Sequence, residues 1–138
     1  MLAKSLIINM ATIEIGTRQS TELIDITGKV KEIVKTKTIK GPKYIHVHTP
    51  CPAGWGFDPR YTVKLGKLAV ETGLFDLYEI ENGKFSLTGA SEKQIGKERK
   101  PVTEYLKTQT RFRALSDELI DNIQKETDAK WAAYNKNA

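Results

Sequence analysis

Three prolines and two glycines fall within the eleven residues Thr49 to Pro59. Proline lacks an amide hydrogen and has a fixed φ, and glycine weakens strand and helix interiors, so no regular element can run through this stretch. Just before it, Tyr44 to His48 alternates aromatic and β-branched residues with polar ones and predicts a strand. Just after it, Asp58-Pro59 is a helix entry, an acceptor side chain followed by a residue already at helical φ. The chain must therefore pass from strand to helix through an irregular loop. Loops anchored this way commonly carry function, because the scaffold holds them while their backbone faces a ligand.

The remaining elements follow from periodicity. Leu65, Leu68, Ala69 and Thr72 form one helical face, with Gly73 as its stop. Asn82-Gly83 between two short β-prone runs predicts a hairpin over 77–88, since Asn-Gly fits a type I′ turn. Gly89 to Lys100 has no period and reads as a surface linker. Pro101 opens a short helix with Val102, Tyr105, Leu106 and Gln109 on one side. Ser116 caps a last helix over about 116–134, with the stripe Leu119, Ile120, Ile123, Thr127, Trp131 and Tyr134. Toward the start, Ala11 to Ile15 and Leu23 to Ile26 read as strands, and Val30, Ile33 and Val34 as a helix after Thr27. The fold class expected is mixed α/β (α+β): a small domain of short strands, one hairpin and three to four helices.

At 138 residues one core is the default. Leu6 to Ala11 is too short to cross a bilayer, and the apolar run after Lys4 leads into a strand-like segment rather than a cleavage site. A cytoplasmic protein without a membrane association is the expectation. The net charge of +5 is uneven. Residues 93–113 hold Lys93, Lys97, Arg99, Lys100, Lys107, Arg111 and Arg113 against Glu98 and Glu104. A solvated linker is the plain reading of that cluster, and an anionic cofactor or an acidic partner the sharper one. Only Tyr105 and Phe112 are interleaved with these bases, fewer than a base-stacking surface uses, so nucleic acid is not the expected partner.

The single cysteine, Cys51, excludes an internal disulfide and a self-sufficient zinc or iron–sulfur site. Three readings of it stay open: a small core residue, one ligand of a shared metal cluster held outward by its flanking prolines, and a nucleophile activated by His46 or His48. Strand alternation puts both histidines on one face, where they could also supply half of a metal site. No phosphate-binding glycine loop is present, and no serine sits in a nucleophile elbow.

Several ordered segments carry a resemblance. Gly41-Pro42-Lys43-Tyr44-Ile45-His46-Val47, Pro50-Cys51-Pro52-Ala53-Gly54-Trp55, Leu68-Ala69-Val70-Glu71-Thr72-Gly73, Leu77-Tyr78-Glu79-Ile80-Glu81-Asn82-Gly83, and Pro101-Val102-Thr103-Glu104-Tyr105-Leu106 through Arg111-Phe112 are similar to the C-terminal part of the β subunit of pyruvate (2-oxoacid):ferredoxin oxidoreductase. The similarity spans about Lys40 to Trp131. It implies a subunit of a complex that oxidatively decarboxylates a 2-oxoacid to an acyl-CoA and reduces ferredoxin, using thiamine diphosphate, magnesium and a [4Fe–4S] cluster. It implies that Cys51 is a cluster ligand, with the complex's other subunits and ferredoxin as partners. The family's diphosphate-binding Gly-Asp-Gly motif and its other cluster cysteines are not in this chain, so the expectation is a partial subunit that binds none of these cofactors and is inactive on its own.

Residues 12–40, especially Thr21-Glu22-Leu23-Ile24-Asp25-Ile26-Thr27, resemble instead the opening of the YjbQ-type family, associated with thiamine-phosphate synthase activity. The domain division expected is thus 1–40 and 41–138. Two alternatives accompany the main expectation. One is a YjbQ-like enzyme. The other is a non-catalytic interaction module that self-associates through apolar residues at Leu68, Leu77 and Ile80 left exposed on a former core face.

Overall fold

A computed structural model describes residues 6–11 and 43–136. Four strands form one mixed sheet in the order β2-β1-β3-β4, where β1 is Leu6–Ala11, β2 Lys43–His48, β3 Tyr78–Glu81 and β4 Lys84–Leu87. β1 runs parallel to β2, with Ile7 opposite Tyr44 and Ala11 opposite His48. It runs antiparallel to β3, with Ile7 opposite Ile80. β3 and β4 are the expected hairpin, pairing Tyr78 with Leu87 and Glu81 with Lys84. Its turn residues sit at φ 53 for Asn82 and 81 for Gly83, the left-handed pair that a type I′ turn requires.

The first described strand is Leu6–Ala11, a stretch for which no strand was expected. It is one of the two interior strands of the sheet, parallel to β2 on one side and antiparallel to β3 on the other. The expected elements at 12–15, Leu23 to Ile26 and after Thr27 lie outside the described residues, as does most of the 1–40 unit.

Helices pack beside the sheet. They are α1 (Pro52–Trp55), α2 (Thr62–Glu71), α3 (Gly89–Glu92), α4 (Val102–Leu106) and α5 (Asp117–Lys136), with 3-10 turns at Pro59–Tyr61 and Thr110–Phe112. Asp58 caps the first of these turns through Arg60 N–H, so Pro59 opens a 3-10 turn and the α-helix proper begins at Thr62. The expected α2 face is buried: Leu65, Leu68, Ala69 and Thr72 have almost no exposure. Leu65, Leu68 and Ala69 make the core together with Val102, Tyr105, Leu106 and Ile120. Ser116 Oγ accepts the Leu119 N–H at the head of α5, and Asp117 and Glu118 complement the positive end of the helix.

Three expectations are corrected here. Gly89 to Lys100 is not a plain linker. It contains α3, whose Ser91 is fully buried with its hydroxyl accepting the Leu77 N–H at 2.8 Å. A polar residue buried because it satisfies a backbone donor leaves no periodic signature. Leu119 belongs to the α5 stripe by spacing, yet it is half exposed: it lies about 100° around the helix from Ile120, which is the first-turn residue that enters the core. Leu68 and Leu77 are buried and Ile80 half-buried, so the face invoked for self-association is covered by the chain itself.

The far end of the core is closed around Trp131, which has no exposed surface. Its indole N–H donates to the Gly73 carbonyl at 3.1 Å, and Lys130 Nζ donates to the same oxygen at 2.7 Å. Lys130 also pairs with Asp76 at 2.8 Å, which accepts the Tyr134 hydroxyl at 3.1 Å. Burial and the Asp76 carboxylate push the Tyr134 phenol up to about 12. Gly73 adopts φ 76, and a Cβ there would run into the Trp131 ring. The same glycine thus ends α2 and gives the tryptophan room.

Candidate cysteine loop and its surroundings

β2 ends at His48, and the loop that follows presents Cys51 at the surface. Cys51 is the N-cap of the single turn α1, accepting the Gly54 N–H on its sulfur at 3.4 Å, while Trp55 N–H returns to the Cys51 carbonyl at 2.9 Å. Pro52 at the first helical position costs no hydrogen bond there. Gly56 ends the turn at φ 68. The core reading of Cys51 is therefore overturned: the prolines and the turn hold the thiol outward.

The loop rests on side chains from two distant parts of the chain. Trp55 and Phe57 pack on the hydrophobic core. His48 lies 5.5 Å from Trp55, 4.7 Å from Phe75 and 6.4 Å from Tyr105, ring centre to ring centre. His46 meets Phe75 at 5.3 Å, so both histidines do share the face that alternation predicted. Burial, then the Arg111 guanidinium, then His46 lower the His48 pKa below its ordinary value of 6.5. The ring is neutral at physiological pH, and its buried Nε2 has no hydrogen-bond partner. The contacts of the His48 ring are with Trp55, Phe75 and Tyr105, and the Cys51 sulfur accepts from the Gly54 N–H. Among the described residues no three His, Cys, Asp or Glu side chains gather into a metal site, so the two histidines do not complete one.

Arg111 was legible only as part of a charge cluster. In the structure its guanidinium stands 3.8 Å from the centre of the Trp55 ring and 4.4 Å from that of Phe112. Its Nε donates to Gln109 Oε1 at 2.9 Å and its NH2 group to the Tyr105 hydroxyl at 3.4 Å. A backbone bond from Thr110 N–H to the Gly56 carbonyl at 3.1 Å completes the junction. Nothing local in the sequence joins Arg111 to Trp55, because the contact is made by the fold.

The basic segment is correspondingly less free than its composition implies. Arg99 lies 5.0 Å from the Trp131 ring centre and pairs with Asp128 at 2.9 Å, and Lys100 pairs with Glu71 at 2.7 Å.

Comparison with known proteins gives this loop its context. The pyruvate synthase subunit PorB of Methanocaldococcus jannaschii is 52% identical over 101 residues, 73% of this chain and 32% of the relative. That of Methanothermobacter marburgensis is 50% identical over 100 residues, 72% of this chain and 33% of the relative. Over that span the chain is similar to these PorB subunits. The ketoisovalerate oxidoreductase subunit VorB of Pyrococcus furiosus is 36% identical over 107 residues, 78% of this chain and 33% of the relative. No family model matches. The chain thus spans about a third of the length of the curated relatives it matches. Among the described residues no helix is long and apolar enough to cross a membrane.

Proposed function

We propose that this chain acts as a PorB-type part of the β subunit of a 2-oxoacid:ferredoxin oxidoreductase, contributing Cys51 as one ligand to an iron–sulfur cluster completed by other polypeptide segments. The observation that carries the reading is the exposed, proline-flanked thiol on an ordered turn, in a segment half identical to pyruvate synthase subunits. A cluster of the cubane kind takes four thiolates, and this chain has a single cysteine. The residues present therefore do not form a cluster site by themselves, and the remaining ligands must come from outside the chain. The same holds for thiamine diphosphate and magnesium, for which the chain offers no phosphate-binding glycine loop. The partners that follow are the other subunits of such a complex and its ferredoxin. A division into a 1–40 unit and a 41–138 unit belongs to the same reading.

Co-expression without oxygen tests it. The chain would be produced together with the remaining two-thirds of a PorB relative and with the partner subunits, and iron content and visible absorbance compared with those of Cys51→Ser. Loss of the cluster signal in the variant supports the ligand role. Equal signals in both forms refute it.

A further inference from the structure

α1 is one turn long and buries no residue completely, so the pose of the thiol depends on the buried Pro50 before it and on what the turn's partly buried residues pack against. Within the turn that packing is made by Trp55, its last residue. One Trp55 contact is with the guanidinium of Arg111, which lies between the loop ring of Trp55 at 3.8 Å and the turn ring of Phe112 at 4.4 Å. Phe112 belongs to the rim of the core, so this sandwich connects a surface loop to the interior. The guanidinium is itself oriented, since Gln109 Oε1 and the Tyr105 hydroxyl accept from it, and both of those residues are buried. At Gly56, a Cβ would run into the side chain of Thr110, so the loop and the Gln109–Arg113 turn meet with no slack.

We propose that Arg111 is the positioning residue of the Cys51 loop: by stacking on Trp55 from a fixed perch on Gln109 and Tyr105, it holds the thiol in the outward pose a shared cluster requires. The role of the pose rests on the ligand reading above, whereas the clamp itself does not. A planar, forked cation is required. Lysine would keep the charge but lose both the flat stacking surface and the two-pronged hydrogen bonding.

Since Cys51 is the single cysteine, a nitroxide spin label placed on it in the full 138-residue chain reports the loop and nothing else. The unsubstituted protein gives a restricted, slow spectral component. Arg111→Ala shortens the rotational correlation time of the label by about two-fold or more, and Arg111→Lys gives an intermediate spectrum. Arg99→Ala, which removes the other arginine stacked on a tryptophan, lowers the melting temperature and leaves the label unchanged. Spectra of Arg111→Ala and Arg111→Lys that superimpose on the parent overturn the proposal, and so does equal loosening in Arg99→Ala. If Arg111→Ala does not fold, Arg111→Lys decides on the same criterion. No iron enters this experiment, so its failure is distinct from failure of the ligand role, which is judged by Cys51→Ser in the co-expressed assembly.

Discussion

Two arginines of the basic segment stack on the two tryptophans, and the two pairs do opposite work. Arg99 lies against Trp131, which is fully buried, and its own side chain keeps only 12% of its exposure beside Asp128. Arg111 lies closer to its tryptophan yet remains exposed, and the ring it covers belongs to a one-turn helix at the surface. The first pair seals a core. The second orders a loop whose thiol faces outward. The energy of a cation on a ring depends on desolvation, from about 0.5–1 kcal/mol in the open to about 2 kcal/mol when water is excluded. Similar chemistry therefore stabilises the fold at one end of the molecule and sets a local conformation at the other.

The contrast breaks most visibly at Trp131. Trp131→Ala removes a fully buried ring together with its bond to Gly73, and the expected loss is about 3–5 kcal/mol in urea or thermal unfolding. A loss below 1 kcal/mol would mean that α5 does not close the core. Arg99→Ala comes next, at about 1–2 kcal/mol, since it uncovers that ring and leaves Asp128 without its arginine. Arg111→Ala is expected to lower global stability by less than Arg99→Ala, its main effect being on the loop.

The pH response sharpens the loop side of the comparison. His48 titrates below 6.5 in the folded chain and at its ordinary value when unfolded. The unfolded state then binds more protons between those two values, so the His48 contribution to stability is constant above pH 6.5, falls as pH drops from there to the folded midpoint, and is level below it. Proton NMR of the His48 ring would locate that midpoint. In Arg111→Ala it should move only part of the way back to 6.5, because burial is the larger cause and His46 still contributes. A midpoint at or above 6.5 in the parent would contradict the burial of His48 beside Arg111. The smallest effect is at Lys100, whose ammonium pairs with Glu71 in the open and has its pKa raised by that contact. Lys100→Ala should leave the melting temperature within error of the parent.

Much of this architecture could be read in advance, and the reasons are local. Asn82-Gly83 dictates its turn through the two positive φ values that these residues tolerate, and Pro101 and Ser116 announce the helices that follow them. Leu65, Leu68, Ala69 and Thr72 declare a face because a helix repeats. The Cys51 loop itself was legible as irregular from its prolines and glycines. What could not be read rests on contacts between distant residues. Ser91 satisfying Leu77, Gly73 sharing its carbonyl between Lys130 and Trp131, and Arg111 covering Trp55 have no periodic or adjacent signature. The exposure of Cys51 was undecided for the same reason: a thiol between two prolines can be buried or presented, depending on what the neighbouring turn meets.

The ligand role of Cys51 is most directly tested by iron. In an anaerobically assembled complex containing this chain, the remaining PorB sequence and the partner subunits, iron per assembly should fall by the content of one cluster in Cys51→Ser. The visible charge-transfer absorbance should fall with it, while the subunits remain associated. Unchanged iron and absorbance in Cys51→Ser would contradict the account.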